Sequence, residues 1–121
     1  MKNKITYSQG NIYIRVGPNT HALIEKPEIQ KAWIASTGHI TKKDSELLDN
    51  ENELPYANQF YGGWRVLADN ADENFIKELR DLGFSEHFCL LLAITKEMGC
   101  CWLELDRDGP LYDKALPVFE W

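Results

Sequence analysis

The chain has too few cysteines, and in the wrong pattern, for the chemistries that cysteine usually brings. There are three, Cys89, Cys100 and Cys101, with spacings of eleven and one. A structural zinc site takes four Cys/His ligands arriving in short-spaced pairs, and a disulfide framework takes an even set, so neither is expected. Neighbouring residues of a strand point to opposite faces, which keeps Cys100 and Cys101 from holding one ion together. Both follow a helix C-terminus, where the dipole disfavours a thiolate, so a redox pair is not expected either. The longest unbroken apolar run, FCLLLAI at 88–94, is far shorter than the roughly 20 residues of a membrane-spanning helix. MKNKITYSQG carries no apolar stretch behind its lysines, so it is not read as a secretory signal. The glycines do not gather into a phosphate-binding loop. These absences lead us to expect a cytoplasmic protein with reduced thiols and with no metal, cofactor or membrane partner.

Acids are also scarce in the first third of the chain. Residues 1–43 hold two acids, Glu25 and Glu28, against seven bases, whereas residues 44–121 hold seventeen acids against six bases. The net charge of −6 therefore conceals a basic start and a strongly acidic remainder. An acidic surface repels phosphate and attracts a protein with a basic surface, so direct nucleic-acid binding is not expected.

With 121 residues, 44% hydrophobic and 26% charged, the chain has the size and composition of one globular domain. Residues 1–10 are expected to be weakly ordered. NIYIRVG (11–17) alternates as a half-buried strand, and HALIEKPEIQ holds a short strand before Pro27. KAWIAST (31–37) is apolar on both faces, which predicts a central strand. Thr41 and Asp44 form a weak capping box opening a helix over KKDSELLDN. Gly62-Gly63 between two β-rich runs predicts a hairpin that sets Tyr61 opposite Trp64. Asn70 and Glu73 cap a helix with one apolar face, which Gly83 and Phe84 close as a Schellman cap. Ser85 caps the next helix, apolar all round, which Gly99 ends. CCWLELD alternates as a strand with Cys101, Leu103 and Leu105 facing inward. LPVFEW closes in a strand or extended segment. The sum is a single α+β domain with an antiparallel or mixed sheet of about 4–5 strands and 2–3 helices on one face.

Several segments look like chemistry. In DRDGP (106–110) the start of a calcium loop fails at its sixth position, Leu111, and at its twelfth, Pro117; the run reads as a turn. STGHITKK (36–43) leads a strand through a glycine to a helix N-terminus, where backbone amides attract anions. Ser36, Thr37, His39 and Thr41 are thus a candidate ligand site, with His39 as its candidate general base. After Lys43 come Asp44, Glu46, Asp49, Glu51 and Glu53, close in sequence to Tyr56, Tyr61 and Trp64. Exposed aromatics beside acids are a protein-docking combination, anchoring and steering a basic partner.

From residue 31 onward, and most strongly from Leu82, the chain resembles a bacterial family of small proteins of unknown function. The likeness rests on His-Ile-Thr at the helix start, Gly-Phe-Ser, Leu-x-x-Asp-x-Asp-Gly-Pro, and the Leu-Pro-x-Phe-x-Trp ending at Leu116, Pro117, Phe119 and Trp121. It implies a cytoplasmic accessory protein of plasmids, phages and other mobile elements and transfers no catalytic residue. The expectation is an acidic interaction protein, of the kind that inhibits a host defence or DNA-handling protein as anti-restriction and anti-CRISPR proteins do. The alternative is a small ligand-binding domain or enzyme using the segment around His39.

Overall fold

The computed structural model describes residues 4–50, 57–69 and 71–121. The described residues form two sheets and three α-helices, the helices lying in sequence between strands of the second sheet, an α+β arrangement. Strands β1 (Lys4–Ser8), β2 (Asn11–Val16) and β3 (Thr20–Ile24) form an antiparallel meander. Lys4–Ser8 is therefore strand, where the sequence predicts weak order. Tight turns at Gly10 (φ 80°) and Gly17 (φ 78°) join the three. No residue of the meander is buried.

The second sheet has the order β4-β7-β6-β5. It comprises β4 (Ala32–Ser36), β5 (Ala57–Phe60), β6 (Gly63–Leu67) and β7 (Trp102–Asp106). β4 runs parallel to β7, and the other pairs are antiparallel. β4 is thus an edge strand rather than the central one its apolar run predicts. Its apolar character is accounted for by the C-terminal segment alongside. Ser36 N–H donates to the Pro110 carbonyl (2.9 Å) and the Tyr112 hydroxyl to the Ile34 carbonyl (2.9 Å), which blunts an otherwise open edge.

Register sorts the second sheet into two faces. Trp33, Ala35, Trp64, Val66, Leu103 and Leu105 point one way, and all but the half-buried Trp33 are buried. Against this face pack Phe88, Leu91 and Leu92 of α3 (Glu86–Glu97), Leu79 of α2 (Glu73–Leu82) and Leu48 of α1 (Lys42–Leu48). Each such side chain taken fully from water contributes about 2–3 kcal/mol. On the other face Arg65 stacks over the Trp102 indole, 4.6 Å from its centroid, and Trp102 Nε1–H donates to Gln30 Oε1 (2.8 Å).

The hairpin differs from its sequence reading by one residue. Phe60 pairs with Gly63 and Gln59 with Trp64, so the two-residue turn is Tyr61-Gly62, with Gly62 alone at positive φ (94°). Tyr61 and Trp64 are not cross-strand neighbours. Gly63 belongs to the strand, and a Cβ there would overlap the Leu105 carbonyl. Close approach of β6 to β7, not turn geometry, requires that glycine.

The helix caps behave as their residues dictate. Asp72 caps α2 (Phe75 N–H to Oδ1, 2.9 Å); the predicted cap, Asn70, lies outside the described residues. Gly83 (φ 103°) ends α2, and Phe84 N–H reaches back to the Leu79 carbonyl (3.0 Å), a Schellman cap with Phe84 buried. α3 is less enclosed than its composition predicts: Leu90 is 47% exposed, and Ala93 also faces solvent.

Candidate functional site

Three places on this frame gather the polar groups singled out by sequence. The first is the segment Ser36–Thr41. Ser36 caps a single 3-10 turn, Thr37–His39, its Oγ accepting from Gly38 N–H (3.0 Å). His39 is 1% exposed and both ring nitrogens are engaged by the C-terminal segment. Nδ1 lies 2.8 Å from the Pro117 carbonyl oxygen, and Nε2 accepts from Tyr112 N–H at 2.8 Å. A carbonyl only accepts and a backbone N–H only donates, so these partners set a neutral imidazole with its proton on Nδ1. Phe119 N–H adds a bond to the Gly38 carbonyl (2.7 Å) and Trp121 Nε1–H one to the Ile40 carbonyl (3.0 Å). Leu111 and Val118 close over Gly38. What reads in sequence as an anion or ligand site is filled by the chain itself, residues 111–121.

Removing the imidazole should therefore loosen that segment. His39→Ala leaves the Tyr112 N–H and Pro117 carbonyl without their partner and opens a hole, lowering unfolding free energy by about 2–4 kcal/mol. Denaturant titration gives the stability, and amide exchange at Tyr112 and Phe119 locates the loss. Unchanged protection at those two amides would remove the clasp from the account.

The second place is Asp44, which is 0% exposed and so is not part of an acidic surface. It completes the capping box with Thr41: Thr41 Oγ1 accepts from Asp44 N–H (3.1 Å), and Asp44 Oδ2 accepts from Thr41 N–H (3.0 Å). The same carboxylate reaches α3. Oδ1 accepts from Ser85 N–H (2.8 Å) and Oδ2 from the Ser85 hydroxyl (2.5 Å), while Ser85 Oγ accepts from Phe88 N–H (3.1 Å). One carboxylate thus sits between the positive ends of two helices, and their amides and dipoles solvate it in place of water.

The third place is a corner where the β5–β6 turn meets the turn after β7. Tyr61 is 90% exposed. Arg107 lies over its ring (4.9 Å to the centroid) and donates to its hydroxyl through Nη2 (3.2 Å). Arg107 N–H donates to the Gly62 carbonyl (2.9 Å), locking the two turns together. The DRDGP turn itself forms through Asp106, whose Oδ1 accepts from Asp108 N–H (2.9 Å). One pair in from the hairpin turn, Trp64, 8% exposed, donates through Nε1 to Asp49 Oδ1 (3.0 Å). Trp64 is thus core and Asp49 its partner, whereas Glu46 is free in solvent on α1. Glu51, Glu53 and Tyr56 lie outside the described residues.

The three cysteines are free thiols. Burial, with Glu86 adding to it, pushes the Cys89 thiol up. A hydrogen bond with Asp69 leads the causes that raise Cys101. Cys101 is half-buried rather than turned fully inward. Among the described residues no group of three or more His, Cys, Asp or Glu is placed to hold a metal ion, and no helix is long and apolar enough to cross a membrane.

Sequence reasoning did not find Tyr112, Pro117, Arg107 or Ser85 as partners of these groups. The Leu-Pro-x-Phe-x-Trp ending was the available signal for Pro117, since its aromatics and proline need something to pack against; Tyr112 lies outside that motif. No curated protein and no solved structure matches the chain. A family match does cover residues 32–121, the second sheet, all three helices and the C-terminal segment, and leaves out the meander. On that match the chain belongs to the family of unknown function DUF5983, of which residues 32–121 form the C-terminal domain.

Proposed function

We propose that the chain is a protein-binding module that docks through the Tyr61–Arg107 corner onto a partner with a basic surface. The observation that carries this is a tyrosine 90% exposed yet held by a stacked, hydrogen-bonded arginine. An aromatic ring fixed in solvent gives the fold little burial, while its ordering lowers the entropy cost of a later contact. Tyrosine and arginine are also the side chains that most often dominate interface energetics. Glu46 on α1, Asp49 just past its C-terminal end and Asp108 beside Arg107 supply exposed negative charge, which speeds encounter with a basic surface. In its most specific form this reading makes the chain a cytoplasmic accessory protein of mobile DNA. Its acidic surface would then occupy a basic groove of a host defence or DNA-handling protein. The alternative, a ligand-binding domain or enzyme built on Ser36, Thr37, His39 and Thr41, requires residues 111–121 to leave first.

A photocrosslinking amino acid placed at position 61 in cells tests the reading. The expected result is a discrete crosslinked protein whose purified form binds more slowly as salt is raised. Tyr61→Ala should weaken that binding about 30-fold or more, a loss of about 2 kcal/mol. A crosslink that forms from Leu111 but not from position 61 would contradict it.

A further inference from the structure

The meander of residues 4–24 has two unlike faces. Pairing places Ile5, Ile14 and Ala22 in one cross-strand row and Tyr7, Ile12 and Ile24 in the next, with Val16 on the same side. This face carries no charged side chain. The opposite face opens with a row of Lys4, Arg15 and His21, followed by Thr6, Tyr13 and Leu23. The apolar face is open to solvent: Ile5 is 70% exposed, Tyr7 61%, and Val16 and Ile24 44% each. A three-stranded sheet with neither face covered lacks the packing that stabilises small sheets in water. The family match begins at residue 32, past the meander.

We infer that this face is the interface between two copies of the chain, packed sheet on sheet. Of the two faces only this one is self-complementary. The Lys4–Arg15–His21 row would oppose like charge to like charge across a two-fold axis, whereas the apolar face meets its copy with no charge to desolvate. A partner with a charged surface would gain nothing from it. The area also fits. The face offers roughly 500–600 Å² per copy, and two copies together would bury about 1,000–1,200 Å², near the lower bound of specific interfaces. Two such sheets would pack about 10 Å apart with their strands about 30° from parallel. This inference stands apart from the docking role of the Tyr61 corner, which lies on the other sheet.

Sedimentation equilibrium of the full chain across a micromolar-to-submillimolar series tests it, alongside Ile5→Lys, Tyr7→Lys, Thr6→Lys and Tyr13→Lys. The four tryptophans, Trp33, Trp64, Trp102 and Trp121, all lie beyond residue 31. Their fluorescence therefore reports that the second sheet is folded in every variant. The expected result is a dimer for the wild type and for Thr6→Lys and Tyr13→Lys. Ile5→Lys and Tyr7→Lys should dissociate about 100-fold more readily, because each buries an unpaired charge. A wild type that stays monomeric throughout the series overturns the inference. So does an equal loss of dimer in all four variants.

Discussion

Gly63→Ala is expected to be among the most damaging single-methyl changes in the chain, costing about 4 kcal/mol or more. The added Cβ would overlap the backbone carbonyl of Leu105, and Phe60 closes the space from another side. A backbone carbonyl cannot rotate aside as a flexible side chain can. β6 and β7 would have to part where Gly63 pairs with Asp106 and Trp64 with Leu105. Those two strands carry Trp64, Val66, Leu103 and Leu105 into the core, so local separation exposes the most deeply buried face of the sheet. Circular dichroism melting should show a midpoint lowered by well over 10 °C, at about 3–5 °C per kcal/mol for a domain of this size. The neighbouring Gly62→Ala provides the contrast. It meets the Arg107 side chain at 3.5–3.7 Å and a positive φ of 94°, so it should cost only about 1 kcal/mol of backbone strain. Equal losses at 62 and 63 would contradict the close-approach account.

Asp44→Ala should cost about 3–4 kcal/mol. The carboxylate accepts from Thr41 N–H, Ser85 N–H and the Ser85 hydroxyl. Its removal leaves buried donors at the starts of both α1 and α3. Loss of a cap alone costs about 1 kcal/mol, and a hydrogen bond to a charged group about 1.5–3. Asp44→Asn should fall between, because an amide keeps one acceptor oxygen but turns its NH2 toward groups that already donate. The discriminating measurement is a double-mutant cycle with Ser85→Ala. The shared carboxylate predicts that the two single losses exceed the double loss by at least about 1 kcal/mol. Additive losses would mean that the two helix starts are independent.

The parts legible in sequence are the local ones. Thr41 with Asp44, Gly83 with Phe84, and Ser85 before Glu86 are chemistries completed within a few residues, and each forms as its residues dictate. The alternation of Leu103 and Leu105 likewise marks the inward face of β7. The rest depends on distant partners. Gly63 reads as a turn residue until β7, forty residues on, explains it. Asp44 reads as one acid in an acidic run until Ser85, also far along the chain, buries it. KAWIAST reads as a central strand because the C-terminal segment, not another strand, covers its outer edge. His39 follows the same rule. Its neighbours in sequence resemble a ligand loop, while its true partners, Tyr112 and Pro117, lie more than seventy residues away. Of the residues proposed for docking, Tyr61 is exposed, while Trp64 and Asp44 are buried.

The segment around His39 is the point at which a structural role and a chemical one part most sharply. Long-range proton–nitrogen NMR of the His39 ring decides between them. A ring that clasps residues 111–121 carries its proton on Nδ1, slow to exchange with water and coupled to the Pro117 carbonyl, while Nε2 accepts from Tyr112 N–H. An imidazole with its proton on Nε2, or one exchanging freely with solvent, would contradict the clasp and return Ser36–Thr41 to the list of ligand sites.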